Sequence, residues 1–223
     1  MGVNRRPAPR FLPVIRLANR AWKDRIMPDL PDWVASKLPP AARHAGLAIA
    51  TLGDQRTFER GGFALSSPAF RNGEQLDPCF TAKEEDAVAP PLEWTAPPPG
   101  SQELVIIVED ASTEGASPQC HWLVWGLAGQ RGALFEGEVP PRTGKNHLGN
   151  SEWLLPDPPV GETRQYVFQI FATELPLTLM PGASREDLMA SLKGFVTACA
   201  VLTAPFTGIE ADDGMEWDDE ELD

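Results

Sequence analysis

The sequence predicts a mainly β fold, and three observations support this. Its 23 prolines and 8% aromatic content argue against a helical bundle. An almost continuous apolar run, Leu104–Val108, is typical of a strand covered on both faces, and His121–Leu127 has the aromatic and branched composition of a second strand. Apolar residues alternate along Arg164–Thr173, which places four of them on one face of a third strand: Tyr166, Phe168, Ile170 and Ala172.

Punctuation by proline and glycine divides the chain into an N-terminal extension (residues 1–60), a main domain (61–208) and an acidic tail (209–223). In the extension, Asp32 is a candidate cap for a helix over Trp33–Leu38. Pro40 suits the first turn of a second helix over Ala41–Leu52. Gly61 and Gly62 then form a hinge into the main domain.

The main domain is predicted to end with one helix and one strand. Ser184 and Asp187 resemble a capping box at the start of the helix, and Gly194 can end it. The apolar stretch Thr197–Thr203 favours a final strand. A further short strand is predicted at Ala133–Phe135.

Charge is distributed unevenly along the chain, whose formal net charge is -13. The basic arm (residues 1–25) carries seven basic side chains and one acidic side chain, whereas the last 14 residues carry nine acidic side chains and no basic one. The overall balance gives no reason to expect nucleic-acid binding. No segment approaches the ~20 apolar residues needed to cross a bilayer, and the N-terminus does not read as a secretory signal.

The basic arm also has an amphipathic pattern, since Phe11, Val14, Ile15, Ala18 and Trp22 recur near helical spacing between arginines. Two structured interpretations are open: contact with an anionic membrane surface, or packing on its own domain or on a partner subunit. Disorder is the third, because prolines interrupt the arm. Trp217 in the acidic tail also has two interpretations: it docks on a partner or on the basic arm, or the tail is disordered.

The three cysteines are widely separated, which favours a reducing, cytoplasmic compartment.

A polar site is predicted where the first two central strands meet. Asp110 ends the first and His121 begins the second, so adjacent strands would bring the carboxylate and the imidazole together at one end of the sheet. Asp110 would then hold the imidazole in one tautomer and raise its proton affinity.

The Pro/Gly-rich stretch Pro140–Gly161 is the kind of long loop that a compact domain keeps for a site or a lid. Its Lys145, Asn146 and His147 suit either a solvated loop or a lid that touches ligand.

The motifs and their order resemble the phosphatidylethanolamine-binding protein family, in particular its bacterial Raf-kinase-inhibitor-like branch. The resemblance covers about residues 62–207. The matching motifs follow one another in this order: SSPAF, then PPLEW, then the strand ending in Asp110, then His121-Trp122, then GKNHLGN, then the proline-rich turn from Pro156 to Gly161 and a strand bearing Tyr166.

The resemblance implies a β-sandwich fold and a small pocket at the strand ends that accepts anions such as phospholipid headgroups. It assigns Asp110, His121 and Pro156 to that pocket. The sequence departs from the family pattern in three places: Ala111 to Glu114 lack the second acid and both prolines, Leu154 and Leu155 replace a glycine-containing turn, and Arg164 stands where the family has a second histidine. Arginine is a good bidentate phosphate donor, so Arg164 suits an anion; alternatively, Arg164 and Asp110 form a structural ion pair.

Two functions follow from these residues. The first is a small-ligand-binding protein whose pocket, built on Asp110, His121, Arg164 and Pro156, takes an anion or a phospholipid-like headgroup, with a regulatory role. The second is a protein-interaction or scaffold module with a vestigial pocket, which contacts a partner or a second copy through its terminal extensions. Catalysis is not expected, because a Ser112–His121–Asp110 set lacks a nucleophile elbow. No cofactor or metal-binding motif is present in the sequence.

Overall fold

The computed structural model describes residues 30–115 and 117–210, and these form two antiparallel sheets with short helices. The interpretations of the basic arm and of Trp217 therefore lie outside the described residues. The strands are β1 (Leu65–Ser66), β2 (Leu92–Trp94), β3 (Glu103–Asp110), β4 (Gln119–Ala128), β5 (Gly132–Leu134), β6 (Arg142–Thr143), β7 (Thr163–Thr173) and β8 (Val196–Thr207). The helices are α1 (Asp32–Ala35), α2 (Ala48–Leu52) and α3 (Arg185–Leu192), with 3₁₀ turns at Pro40–Ala42, Arg60–Gly62 and Pro78–Phe80.

The larger sheet has the order β6-β4-β3-β7-β8, and the smaller one has the order β1-β2-β5. The inner core lies between the two sheets and includes Leu104, Ile106, Val108, Trp122 and Phe168. This arrangement is the β-sandwich that the family resemblance implies, and it agrees with the mainly β fold predicted from the sequence pattern. The alternation predicted for β7 is confirmed, since its four residues of one face all belong to the inner core.

The outer face of the larger sheet is also covered, which explains the unbroken apolar run in β3. Residues at odd positions of β3, such as Val105 and Ile107, belong to a second, outer core. Residues from the N-terminal extension cover them, and Val34, Leu47 and Ile49 are fully buried there. Every residue of β3 is accordingly buried, as expected of a strand covered on both faces. Residues 30–60 thus supply part of the structure's hydrophobic core.

The predicted helices of the extension are too long. The first ends at Ala35, and Asp32 lies inside its first turn, after Pro31, without capping it. The predicted helix over Ala41–Leu52 is interrupted: His44 Nδ1 accepts a hydrogen bond from the Gly46 N–H at 3.0 Å and closes a local turn. Only Ala48–Leu52 is α-helical in that stretch.

The C-terminal predictions agree better with the structure. Ser184 and Asp187 form the capping box of α3, and the helix ends at Leu192, two residues before Gly194. The final strand is longer than predicted and runs through Pro205 to Thr207. Proline is tolerated there because β8 is an edge strand of the larger sheet.

Candidate ligand-binding site

The candidate site lies at the end of the larger sheet where β3 finishes and β7 begins. Asp110 is the cross-strand partner of Tyr166, so both side chains lie on the same, inner face. Arg164 precedes Tyr166 by two residues on β7 and therefore shares that face. The predicted residues Asp110 and Arg164 are brought together by this register.

Arg164 is held between two carboxylates. Its Nη1 donates to Asp110 Oδ2 at 3.0 Å, and its Nε donates to Glu162 Oε1 at 3.0 Å. The Asp110 side chain is 1% exposed, whereas that of Arg164 is 28% exposed. Burial lowers the pKa of the Arg164 guanidinium, but the hydrogen bond and charge of Asp110 outweigh burial, so the net pKa of Arg164 is raised. The site therefore contains a permanently charged guanidinium, partly open to solvent, above a buried carboxylate.

His121 reaches the inner face through a β-bulge. Between the pairs Val108–Trp122 and Glu109–Cys120, β3 advances by one residue and β4 by two, so His121 is the extra residue. Cys120 lies in the outer core and Trp122 in the inner core. The bulge turns the imidazole to the inner side, where its ring meets Tyr166 edge-on with the centroids 5.0 Å apart.

The tautomer of His121 is set by Leu154 rather than by Asp110, contrary to the sequence-based prediction. His121 Nδ1 lies 2.6 Å from the Leu154 carbonyl oxygen, which can only accept, so Nδ1 carries the proton. In the described residues, the hydrogen bonds of the Asp110 carboxylate go to Arg164 and to the Ser112 N–H.

Asp110 raises the proton affinity of His121, as predicted, but the net shift is in the opposite direction. Burial lowers the pKa of His121 below its usual value of 6.5, and this effect outweighs the opposing contributions of the Leu154 carbonyl and of Asp110. The imidazole is therefore neutral at pH 7, and Nε2 is available as a hydrogen-bond acceptor.

Two aromatic side chains complete the site and were not included in the sequence-based assignment. Tyr166 is 1% exposed, and burial raises the pKa of its phenol, with a further contribution from the charge of Asp110. Trp153 lies with its ring centroid 6.0 Å from that of His121 and stacks on Phe168. The alternation in β7 placed Tyr166 on the inner face, but the register that sets it opposite Asp110 is visible only in the structure.

The segment Trp153–Pro156 lies against His121 and closes one side of the site. The Leu154 N–H donates to the His121 carbonyl at 3.0 Å, so main chain and imidazole are both bonded to Leu154. Pro156 is buried, and its carbonyl accepts a hydrogen bond from the Ala82 N–H at 3.0 Å. The structure thus places Pro156 two residues from the contact with His121, as part of the wall beside the site.

Comparison with known proteins identifies the family. Residues 66–207 match the family model described as phosphatidylethanolamine-binding protein. The chain belongs to the phosphatidylethanolamine-binding protein family. Among its relatives are a UPF0098 protein of Aquifex aeolicus, 30% identical over 155 residues (65% of this chain, 90% of the relative), and LppC of Mycobacterium tuberculosis, provisionally described as a lipoprotein, 31% identical over 147 residues (65% and 72%).

Solved structures agree with this assignment. CT736 of Chlamydia trachomatis, provisionally assigned as a homologue of the family, superposes with a TM-score of 0.61 at 26% identity, over 66% of this chain and 98% of the other. YbcL of Escherichia coli, described as a new member of the mammalian phosphatidylethanolamine-binding protein family, has the same fold with a TM-score of 0.59 at 21% identity, over 66% of this chain and 99% of the other.

This phosphatidylethanolamine-binding family member has a second buried polar cluster on the outer face, which the sequence analysis missed. Glu109 is fully buried and is paired with Arg185 of the α3 first turn. Glu109 Oε2 also accepts from the Ala48 N–H at 2.9 Å and from Gln169 Nε2 at 2.7 Å. Gln169 Oε1 accepts from the Ile49 N–H at 2.7 Å. Glu109 and Gln169, which lie on strands of the larger sheet, cap the N-terminus of α2 and hold the N-terminal extension in place.

The loop residues Lys145, Asn146 and His147 line a cavity of about 520 Å³ that Cys120 and Arg185 also line. Because Cys120 belongs to the outer core, this cavity adjoins the opposite side of β4 from the His121 imidazole. Burial raises the pKa of the Cys120 thiol to about 12, so it is protonated and unreactive at neutral pH.

Within residues 30–115 and 117–210, no group of three or more His, Cys, Asp or Glu side chains is arranged to hold a metal ion. In the same part of the chain, no helix has both the length and the apolar character needed to cross a membrane.

Proposed function

We propose that this family member binds a small ligand through an anionic group recognised by Arg164. The observation that carries the proposal is that the guanidinium is fixed by Asp110 and Glu162 while 28% of the side chain stays exposed. Guanidinium has five N–H donors, and these two bonds use two of them. A guanidinium held in this way loses little conformational freedom when it forms further bonds to phosphate or carboxylate.

The local charge narrows the class of ligand. Asp110 and Glu162 contribute two negative charges, Arg164 contributes one positive charge, and His121 is neutral at pH 7 because its pKa is lowered. Inorganic phosphate would meet this excess negative charge directly. A zwitterionic headgroup such as phosphoethanolamine offers its phosphate to Arg164 and its ammonium to Glu162, whose side chain is 48% exposed, so we propose that it binds more tightly than phosphate.

We also propose that the site binds rather than catalyses. Ser112 Oγ accepts a hydrogen bond from the Gln165 N–H at 2.8 Å, and His121 Nδ1 is bonded to Leu154. These bonds do not support a Ser112–His121–Asp110 relay, which would need Asp110 at Nδ1 and Ser112 at Nε2.

Cys79, Cys120 and Cys199 are free thiols, which supports the proposal of a reducing, cytoplasmic compartment.

Isothermal titration calorimetry on the full chain tests the binding proposal. We expect phosphoethanolamine to bind more tightly than inorganic phosphate, and Arg164→Lys to weaken it because lysine cannot make the same two-pronged contact. Arg142→Lys is the matched control, since Arg142 forms a comparable ion pair with Glu103 elsewhere on the protein. No heat at millimolar ligand, or equal losses in both variants, would contradict the proposal.

The alternative function is a protein-interaction module with a closed pocket, and one observation favours it. Asp110, His121 and Tyr166 are each at most 3% exposed, so solvent reaches the polar groups of the site mainly through the side chains of Arg164 and Glu162, which are 28% and 48% exposed. Pull-down with the full chain and with chains lacking residues 1–29 or 210–223 tests this alternative. Partners or oligomers unchanged by either truncation would count against it.

A further inference from the structure

An apolar groove of about 380 Å³ lies beside the candidate site. Its apolar lining comes from Val88, Trp122, Val139, Pro140, Trp153 and Leu155. We call this the tryptophan groove. Val139 is 87% exposed, and the neighbouring Phe135 is 75% exposed, so apolar surface continues beyond the groove itself. Exposed apolar surface of this kind, rimmed by polar residues, commonly marks a docking site.

The rim of the groove is acidic. Glu138 and Glu152 belong to the lining, which contains no basic side chain. Exposed Glu84, Glu85 and Asp86 come immediately before the lining residues Ala87 and Val88, and exposed Glu136 is next to Gly137. The two segments are tied together, since the Gly137 N–H donates to the Ala89 carbonyl at 3.0 Å. The occupant that fits is therefore an apolar segment flanked by positive charges.

We propose that the chain's own basic arm (residues 1–25) docks in the tryptophan groove. The arm carries Phe11, Val14, Ile15, Ala18 and Trp22 among seven basic side chains, so it offers both the apolar groups and the positive charge that the groove requires. The acidic tail has the wrong charge for this rim, because nine of its last 14 residues are acidic.

The length of the arm allows this contact. The described chain begins at Leu30, which packs against the outer core. The five strands of the larger sheet span about 19 Å at ~4.8 Å per strand, and the groove lies on its inner side. At ~3.3 Å per residue, the segment from Leu30 back to Trp22 reaches about 26 Å and that back to Phe11 about 60 Å. The arm is long enough to pass around the edge of the sheet.

The docked arm would lie next to the candidate site, because Trp153 belongs to both. It lines the groove, and its ring is also close to that of His121. The docking proposal does not depend on the identity of the ligand at Arg164, since it rests on the groove, its rim and the charge of the arm.

Zero-length carbodiimide cross-linking of the full chain, followed by mass spectrometry, tests the proposal. Lys23 is the one lysine of the arm. We expect it to form amide bonds to Glu136, Glu138 or Glu152, and these bonds to disappear at high salt, where the Debye length falls to about 3 Å. Mixing isotope-labelled and unlabelled chains shows whether each bond forms within one chain.

Groove variants supply the control. Val139→Arg places a positive charge in the groove without adding a reactive amine, and we expect it to abolish the Lys23 cross-links and to speed amide exchange in residues 11–22 several-fold. Val160→Arg is the matched variant, because Val160 is also exposed, at 62%, and does not line the groove. It should change neither readout.

Four outcomes would overturn the proposal: cross-links of Lys23 only to the acidic tail, cross-links only between chains, no cross-link from Lys23 to the groove acids, or equal effects of Val139→Arg and Val160→Arg.

Discussion

The Arg164 guanidinium donates a 3.0 Å hydrogen bond to the carboxylate of Asp110, which is buried at the end of β3. The pair joins β3 to β7 at the end of the larger sheet, and Glu162 fixes the guanidinium from the other side. Of the two interpretations that the sequence leaves open for these residues, the ion pair is present in the structure. The ion pair is compatible with ligand binding because the guanidinium keeps unused N–H donors and remains partly exposed to solvent.

Removing the guanidinium should destabilise the protein. Arg164→Ala leaves the Asp110 carboxylate buried without its partner, which costs about 3–5 kcal/mol at fully buried pairs. Because Arg164 is partly exposed, we expect roughly 2 kcal/mol here, measured as the change in the free energy of unfolding in urea. The double variant Asp110→Asn/Arg164→Ala should recover part of that loss. An Arg164→Ala variant as stable as the wild type would show that the pair contributes nothing.

His121 should make stability depend on pH in a defined direction. Its pKa is lowered in the folded protein, so the unfolded chain binds the proton more readily. The free energy of unfolding should therefore be unaffected by His121 above pH 6.5 and should fall as the pH drops from 6.5 towards the folded-state pKa. The measurement is urea unfolding of the wild type and of His121→Gln between neutral and mildly acidic pH.

The control for this pH effect is His147→Gln, since His147 is exposed. His121→Gln should flatten the pH dependence in that window, and His147→Gln should leave most of it in place. A steeper fall in His121→Gln than in the wild type would mean that the imidazole gains proton affinity on folding, contrary to our assignment.

Glu109 should hold the N-terminal extension against the sheet. Glu109→Ala leaves Arg185 and the Ala48 N–H without their buried acceptor, and we expect a loss of about 3–5 kcal/mol. Hydrogen exchange of residues 46–52 should rise more than that of β7. Glu103→Ala is the matched control, because Glu103 is a buried carboxylate at the other end of β3 that bonds Gly126 and Leu177. Selective loss of protection in 46–52 with Glu103→Ala would contradict this role for Glu109.

The predictions that succeeded depend on patterns within single segments. The apolar run of β3 indicated a strand covered on both faces, the alternation in β7 identified its inner face, and Ser184 with Asp187 marked the start of α3. Each pattern is set by local geometry, the two-residue repeat of a strand or the first turn of a helix, so it can be recognised without knowing the rest of the fold.

The features that the sequence could not supply depend on pairing between distant segments. The bulge that turns His121 inward is defined only by the register of β4 against β3. The Leu154 carbonyl that fixes the imidazole comes from a loop 33 residues away in sequence. Glu109 and Gln169, which cap α2, lie more than 60 residues away from that helix in the sequence, so local signals could not locate its start.

The most direct test of the binding site is to observe the Arg164 Nε–Hε resonance by proton–nitrogen NMR while phosphoethanolamine is added to the full chain. Our account predicts a shift that saturates, with weaker or absent shifts for the Arg142 Nε–Hε resonance, whose guanidinium is engaged by Glu103 and the Leu177 carbonyl. An Arg164 resonance that does not move at millimolar phosphoethanolamine, in a protein that remains folded, would contradict it.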